Sequence, residues 1–421
     1  MRILYLSAYA LPYINGETLC IAKLLRALMS QGHDVRLITR KNLSPEARTQ
    51  TYHRIPQPGW EEIGCPTIHL DVRDSDSWEG GKWLNRVLSL LNPYVVPSYM
   101  ERAWVLASAQ VLEREIDQVV PDVVLTTQYS YNYLAALIAR RKRRFVWIAS
   151  INDPWEKMAL FESPSWCSHW HHYHRRLLSL LASKADAFIF PSKRLELFER
   201  KFSYGPWPSH VDIIPHVGAV AERVAPRNYE KFRLVHAGEL VNVGKALCKL
   251  PEAITEATRR MPGLKADLEM VLVGDAPTDF KNRMAAVVGS AFQCVPWCAY
   301  PTALEYIASA DVNVLIEANY PEGVLMLAKL ADYALVPKPI LALSPRIGYM
   351  ADMAQKGQCL HAPPDDEALI AEKILALHAA WKAGNLASYS SHSELAEICK
   401  PETAAAKFEN LFQSIAEGTV N

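Results

Sequence analysis

Short runs of valine, isoleucine and leucine alternate with helix-length segments along the whole chain of 421 residues. Parallel strands that are buried on both faces have such apolar sequences, and the crossover between two of them is usually a helix. The alternation therefore predicts an α/β fold of doubly wound parallel sheets. It restarts after a stretch with proline, glycine and histidine at 205–228, which predicts two similar halves.

The clearest apolar runs define the predicted strands. They lie at 2–7, 35–39, 122–126, 145–149 and 187–190 in the first half, and at 233–237, 270–273, 312–316 and 339–343 in the second. The first helix carries an apolar stripe and should end at Gly32, and Pro401 to Gly418 is again helical in pattern.

The charge balance excludes one broad class of function. Lysine and arginine number 45 and aspartate and glutamate also number 45, whereas nucleic-acid binders normally carry a basic excess. We therefore expect no nucleic-acid partner. No apolar window is long enough to span a bilayer, and the 8 cysteines are scattered rather than spaced as a zinc or redox pair. These features predict a cytoplasmic protein with reduced thiols.

Two loops of the first half carry groups suited to a polar ligand. Ligands of doubly wound sheets bind outside the carboxyl ends of the strands. Asn15, Gly16 and Glu17 open a helix there, where free N–H groups favour an anion or a polyhydroxyl group, although glycine is also common in plain turns. Asn152 and Asp153 follow a strand and could bind sugar hydroxyls, or they could simply cap a helix.

Two loops of the second half suggest a phosphate site. The first of them holds Gly238, Glu239 and Lys245, and an ammonium group beside backbone N–H groups can hold a diphosphate. The second holds Gly274 and Asp275, a pattern that is as common in turns as in nucleotide sites. Neither half begins with the GxGxxG of a dinucleotide site, which argues against a dehydrogenase.

Two further clusters, one of histidines and one of basic residues, do not by themselves define a ligand. Four histidines lie within 169–174, but no nearby acid or cysteine completes a coordination set, so we expect no metal. The basic run at 140–144 is typical of a solvated helix end. Together with the aromatic segment 83–104 it also suits peripheral contact with an anionic membrane face.

The order of these loops resembles the GT-B fold retaining glycosyltransferases of the large family-4-like group, which includes many bacterial cell-surface sugar transferases. The resemblance spans nearly the whole chain, and its motifs lie at 32–35, 152–155, 185–192, 213–218, 238–245, 271–275, 310–314, 329–334 and 338–341. It implies two Rossmann-like domains that face a cleft, an acceptor-binding domain at 1–205 and a nucleotide-sugar donor domain at 206–399. The helix at 400–421 would pack back on the first domain.

The resemblance also implies an activity and a set of site residues. A sugar would pass with retention from a nucleotide diphosphate to a glycan, lipid-linked or small-molecule acceptor, without a cofactor, in surface polysaccharide or glycoconjugate synthesis. Catalysis would depend on Lys245, Asp153 and Lys329. The donor site would comprise Gly238, Glu239, Gly274, Asp275, Pro296, Glu322 and Asp332. The acceptor site would comprise Asn15, Gly16, Glu17, Asn152 and Trp155.

Two positions depart from the pattern of this family. Glu239 stands in the place of an arginine, and Val324 stands in the place of the first of two glutamates. A carboxylate beside a diphosphate is costly, although Glu322 and Lys329 could compensate for the two changes. The departures leave two alternatives open: a non-catalytic GT-B-like subunit that binds a ligand or partner, and a sugar-nucleotide epimerase or phosphorylase of the same fold.

Overall fold

The computed structural model describes residues 1–41, 58–72, 92, 94, 102–127, 130–154, 168–201, 203, 205–240 and 248–418. The contacts between residues divide the chain into two compact units. The first unit comprises Met1–Arg54, Glu62–Pro215 and Ala404–Asn421, and the second comprises Ile55–Glu61 and His216–Thr403. The acceptor and donor roles of the two predicted domains stay predictions.

Strands and helices alternate along the first unit. Its elements are β1 (Arg2–Leu6), α1 (Gly16–Ser30), β2 (Asp34–Arg40), β3 (Thr67–Leu70), α2 (Arg102–Val119), β4 (Val123–Thr127), α3 (Ser130–Arg140), β5 (Trp147–Ser150), α4 (Ser168–Lys184), β6 (Ala187–Phe190), α5 (Lys193–Arg200) and β7 (His210–Ile213). The strands form one sheet in the order β3-β2-β1-β4-β5-β6-β7. Every neighbouring pair is parallel, and Ile3 lies between Val35 and Val123.

The second unit repeats this arrangement with a second parallel sheet. Its elements are β8 (Phe232–Ala237), α6 (Leu250–Arg260), α7 (Leu264–Asp267), β9 (Leu268–Val273), α8 (Thr278–Val288), β10 (Phe292–Val295), α9 (Tyr300–Ser309), β11 (Val312–Ile316), α10 (Ala328–Ala334), β12 (Ile340–Leu343), α11 (Tyr349–Gln355), β13 (Leu360–Ala362), α12 (Glu367–Lys382) and α13 (Ser393–Ile398). The strand order is β10-β9-β8-β11-β12-β13, again with parallel neighbours.

The last helix, α14 (Pro401–Gly418), contributes to the first unit from Ala404 onwards. Lys407 Nζ donates to the carbonyl of Ile213 at 2.9 Å, and the Glu409 carboxylate lies 2.9 Å from His33 Nε2. These contacts attach the end of the chain to β7 and to the residue that precedes β2.

Buried apolar side chains explain why these segments form sheets. Phe232 and Leu234 of β8 and Val314 of β11 are fully buried and pack in one cluster with side chains of α6 and α12. Full burial of such a side chain is worth about 1.5–3 kcal/mol. The predicted α/β fold with two doubly wound parallel sheets is confirmed, and the predicted strands are present within two residues at each end.

The sequence pattern missed β3, β7, β10 and β13, which are the edge strands of the two sheets. Most of their residues are half-buried or exposed, as the pattern half-buried, exposed, exposed, half-buried along β10 illustrates. A strand at the edge of a sheet needs fewer apolar side chains than a central one, so it leaves a weaker signal in the sequence.

Acidic side chains pair with the basic run at 140–144. Arg140 binds Asp186 at 2.9 Å, and Arg143 Nε binds Asp117 at 2.6 Å. Lys142 lies 3.1 Å from Glu113. These pairs lower the local positive charge on which binding to an anionic surface depends. Among the described residues, no helix is long and apolar enough to cross a membrane.

Candidate functional site

The strand order reverses at one point in each sheet, between β1 and β4 and between β8 and β11. Such switch points are where doubly wound folds bind ligands, at the carboxyl ends of the strands. We call residues 15–17, 127 and 150–153 the first site, and residues 236–240, 274–275 and 317–332 the second site. Each lies at the carboxyl edge of its own sheet.

A capping box fixes the start of α1 in the first site. The Asn15 side chain accepts from the Thr18 N–H at 2.8 Å, and the Thr18 hydroxyl accepts from the Asn15 N–H at 3.0 Å. The two bonds satisfy N–H groups that the helix leaves unpaired. Gly16 therefore begins α1, and Glu17 lies in its first turn, where the helix dipole favours a carboxylate.

A chain of side-chain hydrogen bonds links three loops of the first site. The Ser150 hydroxyl donates to Asn152 Oδ1 at 3.0 Å, and Asn152 Nδ2 donates to the Thr127 hydroxyl at 3.0 Å. The Thr127 hydroxyl in turn donates to Glu17 Oε1 at 3.4 Å. The chain brings two predicted acceptor residues, Asn152 and Glu17, together and ends at a carboxylate.

Two buried tyrosines underlie this chain. Burial raises the pKa of Tyr133, and the charges of Glu17 and Asp153 raise it further. Burial likewise raises the pKa of Tyr5, which is hydrogen-bonded to Thr127. The Tyr133 hydroxyl therefore stays protonated and donates a hydrogen bond to the carbonyl oxygen of Ser150. Asp153 and Glu17 both lie within electrostatic reach of this ring.

Trp155 and Lys245, which the sequence analysis assigns to the acceptor site and to catalysis, lie outside the described residues. The other predicted site residues are described.

Two glycine turns form the base of the second site. Gly238 has φ +130° and Gly274 has φ +122°, a region that residues with a Cβ rarely adopt. The Gly238 N–H donates to the carbonyl of Val273 at 2.7 Å, and the Gly274 N–H donates to that of Val295 at 2.9 Å. A Cβ on Gly274 would lie 2.8 Å from the carbonyl oxygen of Gly238, so the two turns touch through their backbones.

Lys329 extends from α10 to the first of these turns. A Cβ on Gly238 would overlap the Nζ atom of Lys329. The same Nζ lies 3.4 Å from Nε2 of His236. The structure therefore places a positive charge directly at a turn that has no side chain of its own.

Asp332 and Tyr333 hold α10 in place through hydrogen bonds to other segments of the second unit. The buried Asp332 accepts at Oδ1 from the Ala219 N–H at 2.9 Å and from the Tyr300 hydroxyl at 2.8 Å. The Tyr333 hydroxyl accepts from the Ala237 N–H at 2.8 Å. One oxygen of Asp332 is thus bound within the protein, although the resemblance assigns this residue to ribose hydroxyls.

The remaining predicted donor residues surround these turns. Asp275 Oδ1 lies 3.1 Å from Lys281 Nζ. Glu239 and Glu322 are half-buried, and Pro296 is exposed. Val324, in the place of the family's glutamate, is fully buried. It supplies packing and no charge at this position.

Sequence reasoning missed two polar residues of this site. His236 is fully buried near the end of β8, and Glu317, which directly follows β11, is 1% exposed. The signal that could have found them is a titratable residue at the end of an otherwise apolar strand, because burial of such a group requires a partner. Among the described side chains, no group of histidine, cysteine, aspartate and glutamate residues could hold a metal ion.

A comparison with models of known protein families finds a match in the first half of the chain. Residues 15–216 match the model of the glycosyl transferase 4-like domain. The chain contains a glycosyltransferase domain. A comparison by sequence with curated proteins finds no match to it.

Solved structures resemble the chain over nearly its whole length. Sucrose-phosphate synthase from Thermosynechococcus elongatus is 15% identical with a TM-score of 0.64, and the match covers 99% of both chains. Anabaena HepE in complex with UDP-glucose is 13% identical with a TM-score of 0.63, over 98% of this chain and 100% of HepE. A candidate UDP-N-acetylglucosamine 2-epimerase from Listeria monocytogenes is 12% identical with a TM-score of 0.61, and the match covers 99% of this chain and 97% of the epimerase chain. The likeness establishes the GT-B fold.

Proposed function

We propose that this glycosyltransferase moves a sugar from a nucleoside diphosphate sugar to a hydroxyl group of a glycan, lipid-linked or small-molecule acceptor, with retention. One observation carries the proposal: the Lys329 ammonium lies at the Gly238 turn, beside the switch point of the second sheet. A cation at that place suits a diphosphate. The complex of HepE with UDP-glucose, which has the same fold, supports this donor class.

The positive charge of Lys329 matters because the nearby N–H groups are engaged. The Gly238 and Gly274 N–H groups donate to the carbonyls of Val273 and Val295. They are therefore not available to phosphate oxygens. The turns provide close approach, and the ammonium group provides the charge, with Lys245 as a predicted second cation.

Charge develops on the departing diphosphate as the bond from the sugar to the phosphate oxygen breaks. A fixed ammonium group in a site shielded from water stabilises this charge by several kcal/mol. The acceptor hydroxyl forms the new bond to the sugar, and its proton passes to an oxygen of the departing diphosphate. Before that transfer, Glu17 or Asp153 orients the hydroxyl by accepting its single O–H hydrogen bond. The scheme needs neither a protein nucleophile nor a cofactor, and we place the reaction in the cytoplasm, in glycoconjugate or surface polysaccharide synthesis.

A thermal-shift titration with UDP, GDP, ADP, CMP, dTDP and NAD tests the donor site. A ligand that binds only the folded state raises the melting temperature by mass action. We expect one nucleoside diphosphate to stabilise the wild type and the control Lys265→Ala, whose lysine is exposed on α7, but not Lys329→Ala. If no diphosphate stabilises the wild type, or if Lys329→Ala responds like the wild type, the proposal is wrong.

An epimerase is the second candidate, since one structure of the same fold is described as a UDP-N-acetylglucosamine 2-epimerase candidate. An epimerase converts its nucleotide sugar without an acceptor alcohol, whereas a transferase releases nucleoside diphosphate in proportion to a new glycoside. Product analysis by NMR, with the acceptor present and then omitted, separates the two.

A further inference from the structure

His236 contacts two groups through its two ring nitrogens. The side chain is fully buried near the carboxyl end of β8. Nδ1 lies 2.8 Å from the carbonyl oxygen of Val314 on the neighbouring strand β11, and Nε2 lies 3.4 Å from Lys329 Nζ. The imidazole therefore connects the central pair of strands to the lysine of the second site.

The chemistry of these partners determines which nitrogen carries the proton. A carbonyl oxygen only accepts, so Nδ1 must be the N–H nitrogen that donates to Val314. In the neutral ring, Nε2 is then a bare acceptor. An ammonium group only donates, so the Lys329 Nζ–H group donates to Nε2. A protonated imidazole would place an N–H group and a positive charge against the ammonium group, so this contact favours the neutral ring.

A lysine side chain needs such a partner to stay at one point, because its four-carbon stem rotates freely and its ammonium group is strongly hydrated. The missing Cβ of Gly238 leaves room for Nζ, but room alone does not hold it there. His236 gives Nζ a fixed acceptor on the floor of the site. A group that is in place before the ligand arrives loses less freedom on binding.

We propose that His236 is a positioning residue, which holds the Lys329 ammonium over the Gly238 turn so that it meets a diphosphate in a fixed place. This inference rests on the proposed function, because the diphosphate is the ligand proposed there for Lys329. His236 acts through Lys329 and does not itself touch the ligand.

Two substitutions separate the contacts of His236. In His236→Asn the amide nitrogen takes the place of Nδ1 and keeps the bond to Val314, but the shorter side chain no longer extends to Lys329. In His236→Gln the longer side chain carries an amide oxygen to the region of Nε2, where it accepts from Lys329. We expect His236→Asn to weaken the binding of the diphosphate found in the nucleotide panel by about tenfold, as for loss of a charge-assisted hydrogen bond, and His236→Gln to bind more tightly than His236→Asn.

A double-mutant cycle tests whether the effect passes through Lys329. Diphosphate affinities are measured by calorimetry for the wild type, His236→Asn, Lys329→Met and the double variant. We expect His236→Asn to change the affinity in the wild-type background and to leave it unchanged in the Lys329→Met background. Equal losses in the two backgrounds, no loss in either, or a His236→Gln protein that binds no better than His236→Asn would overturn the proposal.

A measurement without nucleotide keeps this inference separate from the proposed function. In ¹⁵N NMR spectra of histidine-labelled protein, we expect Lys329→Met to shift the Nε2 resonance of His236 and to leave Nδ1 in its N–H form. This variant keeps the buried imidazole, so it does not depend on whether His236→Asn folds. An unchanged Nε2 resonance would overturn the positioning role even if a diphosphate binds, and a shifted one would support it even if none does.

Discussion

The two candidate sites lie at equivalent positions of two similar sheets, but they are built from different materials. In the first site, hydroxyl, amide and carboxylate side chains form a chain from Ser150 to Glu17. In the second, glycine backbones form the surface and Lys329 supplies the charge. The first set suits an uncharged hydroxyl, and the second suits an anion. The shared fold therefore sets where the two candidate sites lie, and the local groups decide which kind of ligand each one suits.

The largest effect should come from removing the charge of the second site. We expect Lys329→Met to lower the transfer rate by about 100- to 1,000-fold, because the developing charge of the leaving group loses a fixed cation. Initial rates at saturating donor and acceptor measure this change. Retention of the wild-type rate would show that the contrast in charge between the sites has no role in the reaction.

A smaller effect should follow when the two turns are forced apart. Gly274→Ala places a Cβ 2.8 Å from the Gly238 carbonyl at a φ of +122°, so we expect the free energy of unfolding to fall by about 1–3 kcal/mol. Gly263→Ala is the matched control, because a Cβ there meets nothing within 4 Å. Urea unfolding of the two variants gives the comparison. Equal stability would mean that the backbone contact between the turns is dispensable.

The first site is tested by a change that should affect only the acceptor. Glu17→Gln removes the carboxylate at the end of the hydrogen-bond chain while preserving its size. We expect the KM for the acceptor to rise by about tenfold and diphosphate affinity to stay unchanged, since a hydrogen bond to a charged group is lost. Asp34→Asn, on the exposed first residue of β2, serves as the control. A change in diphosphate affinity with an unchanged acceptor KM would reverse the assignment of the two sites.

The smallest effect concerns pH. Burial lowers the pKa of His361 and of His392 in the second unit. An unfolded histidine titrates near pH 6.5, so between that pH and the lower folded pKa the unfolded chain binds more protons. Stability should thus be full above about pH 6.5 and should fall as the pH drops from there to the folded pKa. Hydrogen exchange of peptides from β12 and β13 at pH 7.5 and 5.5 measures the change. An equal change in the His361→Gln, His392→Gln double variant would exclude these two groups as its cause.

The central strands could be predicted because each is an apolar run of its own, such as Val312–Ile316. The edge strands could not, since half-exposed residues such as those of β7 leave no such run. The glycine turns were visible as glycines after strands. The contacts of these turns could not be predicted, because Gly238 and Lys329 come together only in the folded chain.

The same limit applies to single polar residues. His236 and Lys329 are 93 residues apart in sequence, and no local pattern links them. The resemblance indicated Asp332 as a ribose ligand, but its contacts with Ala219 and Tyr300 depend on how α9 and the segment before β8 pack. Local periodicity therefore predicts where strands end, whereas the partners of the side chains found there depend on tertiary packing.

The second unit includes a short piece of the first half of the sequence. Trp60 lies with its ring edge-on to that of Tyr300, at 4.8 Å between centroids, and Tyr300 donates to Asp332. Conversely, α14 supplies Lys407 to Ile213 in the first unit. A cut at 215/216 would therefore give two fragments that each lack part of their own unit. Expressed separately, the two fragments should be less stable than the intact chain. Mixing them should restore the two contacts only if residues 58–61 of the first fragment pack on the second, and residues 404–418 of the second fragment pack on the first.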